Sequence, residues 1–115
     1  MRIKIRIGLR NAADEPFMGS GPAWLLRGVE RAGSLNLAAK DMGMSYSKAH
    51  RLVKTLEAEL GRRVLAVTKG GNDRGGSALT PAGLLFLERY EALEKAVKSS
   101  AEKHFKKAFP GGRLI

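Results

Sequence analysis

The chain contains no cysteine, which excludes disulfides and thiolate metal sites. It has only two histidines, His50 and His104, too few by themselves for a zinc site. No apolar run approaches the roughly 20 residues of a transmembrane helix. The N-terminus alternates basic and apolar residues and has no signal-peptide core, so a cytoplasmic protein without membrane contact is expected. Acidic residues are scarce: 11 Asp and Glu against 21 Lys and Arg give a net charge of +10 over 115 residues. That balance favours a polyanionic partner, nucleic acid before an anionic membrane. Hydrophobic residues make up 43% of the chain, enough for one modest core rather than a disordered segment.

The pattern along the chain supplies the organisation. Arg2, Lys4 and Arg6 alternate with Ile3, Ile5 and Ile7, which predicts a half-buried strand. Phe17 and Met18 form its short return. Gly19-Ser20-Gly21-Pro22 starts a helix with Ser20 or Gly21 near its N-cap and Pro22 in the first turn, and Trp24, Leu25, Leu26, Val29 and Ala32 follow at helical spacing until Gly33. A second helix is predicted from the Ser34 cap over Leu35 to Met42, burying Leu35, Ala38, Ala39 and Met42. Gly43 suits the left-handed backbone of a sharp turn. Ser45 then caps a third helix, about 45–60, with Ala49, Leu52, Val53, Leu56 and Leu60 on one face. At ~100° per residue, Ser47, Arg51 and Lys54 fall on the opposite face, flanked by Lys48 and His50.

After Gly61 the sequence reads strand (64–67), glycine-rich tip, strand (78–80), and then a long helix capped by Thr80 with Pro81 at its first position. The tip and its flanks, 68–77, form a wing carrying Lys69 and Arg74. It lacks the Gly-Lys-Ser/Thr ending of a P-loop, so nucleotide binding there is not expected. Phe86, Tyr90, Leu93 and Val97 continue an apolar stripe, with Leu84, Leu85 and Leu87 widening its start. The last three stripe residues outrun a small core, which points to pairing between two copies. The fold class is mainly α with small β: a winged helix-turn-helix with an N-terminal strand or hairpin and a long C-terminal dimerisation helix. A single domain covers 1–105, and 106–115 is a tail.

Three stretches resemble the N-terminal DNA-binding domain of ModE-type, molybdate-responsive regulators, itself similar to the LysR-type winged domain. They are GSLNLAAKDMGMSYSKAHRLV (33–53), KGGNDRGGSALTPAG (69–83) and LLFLERYEAL (84–93). The resemblance implies a prokaryotic transcription regulator whose third helix enters the major groove, whose wing meets backbone or minor groove, and whose last helix dimerises. Carried over, the DNA-binding residues are Ser45, Tyr46, Ser47, Lys48, His50, Arg51 and Lys54 on the helix, with Lys69 and Arg74 on the wing. Phe86, Tyr90, Leu93 and Val97 take the dimerisation role. Molybdate-responsive members continue into an oxyanion-binding domain. Nothing here matches it, so neither molybdate binding nor any cofactor is carried over.

Among the helix residues, Arg51 is the best base reader, because its planar fork matches guanine O6 and N7 together. The residues near the helix N-terminus suit phosphate. Tyr46 is open between a phosphate contact and sideways packing into the core, and the basic N-terminal strand between a solvated face and a backbone contact. The leading expectation is a homodimeric, sequence-specific binder of double-stranded DNA. A low-specificity architectural DNA-binding protein fits the charge equally, and winged helices also serve as protein adaptors. An enzyme is not expected: the chain has no cysteine, no plausible histidine–carboxylate pairing at short spacing and no metal set.

Overall fold

The computed structural model describes residues 1–68 and 76–115. Two short strands open the chain, β1 (Leu9–Arg10) and β2 (Pro16–Met18). Four helices and a second hairpin follow: α1 (Ser20–Ala32), α2 (Leu35–Asp41), α3 (Tyr46–Leu60), β3 (Leu65–Val67), β4 (Ser77–Leu79) and α4 (Pro81–Ala108). A short 3-10 turn, Pro110–Gly112, ends the order. This is the winged helix-turn-helix arrangement that the sequence predicts, with the helical content and the long last helix as expected.

Local signals set the helix boundaries. The Ser34, Ser45 and Thr80 hydroxyls accept from the N–H groups of Leu37, Lys48 and Gly83 at 3.0, 3.1 and 3.0 Å. Each satisfies a donor that the first helical turn leaves open. Gly33, Gly43 and Gly61 all take the left-handed backbone, with φ between 66° and 72°, and so end α1, turn α2 into α3, and end α3. The Ala38 methyl explains the tight α1–α2 packing: a Cβ placed on Gly28 would lie 3.1 Å from it.

The core forms where the three short helices meet the base of the wing. Leu25, Leu26 and Val29 of α1, Leu35, Ala38 and Ala39 of α2, and Ala49, Val53 and Leu56 of α3 are buried there, together with Val64, Leu65, Leu87 and Tyr90. The wing strands pair antiparallel, Leu65 with Leu79 and Val67 with Ser77. Ser77 N–H donates to the Gly33 carbonyl at the end of α1 and ties the hairpin to the helices, while Thr80 N–H donates to the Val64 carbonyl and closes the base of the hairpin, each at 2.9 Å. At the start of α4, a Cβ on Gly83 would stand 2.5 Å from the Val64 carbonyl oxygen. Only a residue without a side chain allows that approach.

Four expectations need correction. The N-terminal hairpin pairs Leu9 with Met18 and Arg10 with Pro16, and residues 2–7 join no ladder. Their exposure still alternates, with Ile5 and Ile7 half-buried and Arg2, Lys4 and Arg6 exposed. The reason is that the apolar side lies against helix rather than sheet: Ile3 and Ile5 share a cleft with Lys98 and Glu102 of α4. Trp24, placed at core spacing, is 66% exposed. Met42 is not on the buried face of α2 but caps its C-terminus, where it is 36% exposed. Finally, Tyr90 is buried inside the protomer at 2% exposure, and its hydroxyl donates to the Ile7 carbonyl at 2.7 Å. The N-terminal segment lies over Tyr90 and removes it from the face available to a second copy.

Candidate nucleic-acid interface

The third helix separates two chemistries by angle alone. Ala49, Val53 and Leu56 are buried, with Leu52 and Leu60 packed partly against them. Ser45, Ser47, Lys48 and Arg51 are exposed on the other side. With 3.6 residues per turn, Ser47 and Arg51 stand one above the other. The outer face therefore offers two hydroxyls, an ammonium and a guanidinium within two turns of the helix N-terminus. Hydroxyl and cationic donors at such an end suit phosphate, and the guanidinium fork suits a base edge.

The remaining nominated residues divide. Tyr46 is half-buried against the core, and its ring lies 5.8 Å from that of His50 at a 30° tilt. This is the sideways packing that the sequence left open, so Tyr46 and His50 shape the rim of the face from its apolar side. Lys54 is on the exposed face, but its ammonium lies 3.2 Å from Glu57 Oε1. Lys69 and Arg74 lie outside the described residues, as does most of the wing tip.

Glu57 was not foreseen. It sits on the buried side of α3 at 9% exposure. Its Oε2 accepts from the Val64 N–H at 2.8 Å and from the Leu65 N–H at 3.5 Å, and Arg63 Nε lies 3.3 Å away. The carboxylate thus clamps the last turn of α3 to the first residues of the wing. Burial pushes its pKa upward, but the Val64 N–H, the Lys54 ammonium and the Leu65 N–H together outweigh that and hold it below the ordinary carboxylate value. Only the Lys54–Glu57 spacing of three is visible in the sequence; the link to Val64 is tertiary. Arg62, exposed between α3 and β3, is a further cation beside this junction that helix-and-wing reasoning omits.

A second polar link braces the scaffold. Arg27 on α1 donates from Nε to Glu91 Oε2 on α4 at 3.1 Å and pairs through its other nitrogens with Glu91 and Glu30. The bidentate guanidinium holds the Glu91 carboxyl below its ordinary range against the opposing effect of burial, and the carboxylates in turn raise Arg27.

The nominated dimerisation stripe also divides. Leu93 and Val97 are 43% and 38% exposed, Leu85 is more so, and Phe86 is half-buried at the domain edge. With Tyr90 inside, the open apolar face of α4 rotates toward Leu85, Leu93, Val97 and the small residues Ala92 and Ala96. His104 lies on the exposed far end of α4, its Nδ1 2.8 Å from the Ser100 carbonyl oxygen. No helix among the described residues is long and apolar enough to cross a membrane.

Comparison with known proteins agrees with this geometry. The family described as "Bacterial regulatory helix-turn-helix protein, lysR family" matches residues 25–84. The chain is 37% identical over 89 residues to the molybdenum-pterin-binding protein MopB of Rhodobacter capsulatus, covering 75% of this chain and 33% of that one. It is 34% identical over 71 residues to the transcriptional regulator ModE of Haemophilus influenzae, covering 62% and 28%. It spans about a third of the length of the curated relatives it matches. Among solved structures it is similar to the DNA-binding domain of CbnR in complex with DNA, with TM-score 0.59 and 27% identity over 76% of this chain and 95% of that one. The DNA-binding domain of BenM bound to benA site 1 DNA, at 21% identity and TM-score 0.57 over 78% and 96%, shares the fold.

Proposed function

From the premise that the chain belongs to the lysR family of bacterial regulatory helix-turn-helix proteins, we propose that it is a sequence-specific regulator of transcription that binds double-stranded DNA as a homodimer. Its third helix occupies the major groove, and the wing, 68–77, touches backbone or minor groove. The observation that carries this reading is the split of α3: an apolar side fixed in the core and an outer side on which Ser45, Ser47, Lys48 and Arg51 stand exposed. Arg51 reads base edges, and the residues nearer the helix start hold phosphate. Lys69 and Arg74 add salt-dependent phosphate attraction from the wing. The Glu57 carboxylate holds the last turn of α3 against Val64 and Leu65, where the wing begins.

Pairing uses the open face of α4 around Leu93 and Val97, with Phe86 and Leu85 at its start. Two copies then present two α3 helices to one side of the duplex, roughly one helical turn or a multiple apart. The test is affinity selection from random duplexes with the purified protein, with and without added molybdate. A shared motif with two-fold symmetry is the expected result. A pool that stays random while binding falls with salt would instead assign the chain to architectural DNA packing.

A further inference from the structure

Trp24 is the single tryptophan of the chain, and it lies outside the core on the exposed side of α1. An exposed aromatic residue is unremarkable when isolated. This one is not isolated. It lines a cleft of about 360 Å³ together with Lys4, Ile5 and Arg6 of the N-terminal segment, Ser20 at the start of α1, and Lys98 on α4. No residue of α3 lines it, so the cleft is separate from the DNA-facing surface.

Charge in this cleft is one-sided. Glu94, one turn before Lys98, is already engaged: Lys98 Nζ lies 3.4 Å from its Oε2, which also accepts from Ser20 Oγ at 3.3 Å. That carboxylate cancels Lys98. Glu102, a turn further on, borders the adjoining cleft with Ile3 and Ile5. Lys4 and Arg6 are both exposed and make no ion pair among the described residues. Two unmatched cations therefore stand beside an indole plate and the apolar side of Ile5.

We propose that this cleft binds a small aromatic anion, with its ring stacked on Trp24 and its anionic group held by Lys4 and Arg6. The ring gains stacking and apolar contact, and the anion gains charge-assisted hydrogen bonds. The volume is at the lower end for ligand pockets, which suits one ring system and excludes an oligomer. A mononucleotide and an aryl carboxylate share this chemistry. An inorganic anion lacks the ring, and a nucleoside lacks the charge.

Because Trp24 is the only indole, all tryptophan emission arises from this position. The 115-residue chain is titrated with AMP, benzoate, inorganic phosphate and adenosine while tryptophan fluorescence is followed with excitation at the red edge of indole absorption. A saturable change with AMP or benzoate supports the site, and the one that saturates at lower concentration identifies the source of the ring. Phosphate and adenosine are expected to bind about tenfold more weakly or worse, as is either aromatic anion to the Lys4→Glu/Arg6→Glu variant. Circular dichroism of that variant should match the parent, since both side chains are exposed. Three results overturn the proposal: only linear, collisional quenching by AMP and benzoate; an equal response to phosphate or adenosine; or emission that follows protein concentration and ignores every ligand. The last would assign Trp24 to contact between copies.

Discussion

Replacing Glu57 with alanine removes a buried carboxylate that hydrogen-bonds α3 to the start of the wing. The cost can be worked from its contacts. The Val64 N–H at 2.8 Å is a buried donor to a charged acceptor, a bond worth about 1.5–3 kcal/mol, and loss of the acceptor leaves the donor unsatisfied. The ion pairs contribute less, because Lys54 and Arg63 are 50% and 60% exposed and water screens them to about 0–1 kcal/mol each. Together the loss is about 2–4 kcal/mol, which at ~4 °C per kcal/mol for a domain near this size lowers Tm by roughly 8–16 °C. Glu57→Gln keeps an oxygen acceptor and loses the charge, so it should fall about halfway between.

The acid limb gives an independent check on Glu57. Its pKa is lowered in the folded chain from the ordinary 4.5, so the stabilisation is fully present above that value and is lost as pH falls through the lowered one. The parent should therefore lose Tm faster than Glu57→Gln below about pH 4.5, and the two curves should converge. Thermal melts followed by circular dichroism across pH 2.5–7, a range of about that width around the carboxylate pKa, read both effects. A Glu57→Ala protein melting within about 2 °C of the parent at pH 7 would refute the clamp.

Arg51→Ala should weaken binding to a selected operator by about 1–3 kcal/mol and relax preference at one position, whereas Lys48→Ala should weaken all duplexes alike and reduce the salt slope by about 1; fluorescence anisotropy over a salt series separates them, and equal losses on all DNA from Arg51→Ala would favour the architectural alternative. Gly83→Ala places a methyl 2.5 Å from the Val64 carbonyl oxygen and 3.0 Å from its Cα, so α4 must move off the wing base; urea denaturation should show a loss of about 1–3 kcal/mol. Leu93→Glu puts charge on the open face of α4 and should shift sedimentation from dimer to monomer with unchanged circular dichroism. A variant that sediments like the parent would place the pairing surface elsewhere.

Much of this architecture can be read from neighbouring residues because its causes are local. Ser34, Ser45 and Thr80 each announce a helix by offering an oxygen to an amide three residues on. Gly43 permits the backbone of the helix-turn-helix corner whatever surrounds it. The outer face of α3 follows from angular spacing, since Ala49, Val53 and Leu56 leave Ser47 and Arg51 nowhere but outside. The N-terminal alternation is as regular but misleads. Period two fixes which residues share a side, and that side packs on helix α4 as well as it would in a sheet.

What the sequence by itself determined is the order of elements, the Ser34, Ser45 and Thr80 caps, and the basic face of the third helix, because each cap and face depends on contacts within a turn or so of the chain. Only the tertiary structure decided that Trp24 faces outward, that Tyr90 is enclosed and withdrawn from the exposed side of α4, and that Glu57 joins α3 to Val64. A periodic stripe states which side chains align. It does not state how far a neighbouring element reaches along them, and that reach is set by segments distant in sequence, such as Ile7 laid over Tyr90 and Val64 laid against Glu57.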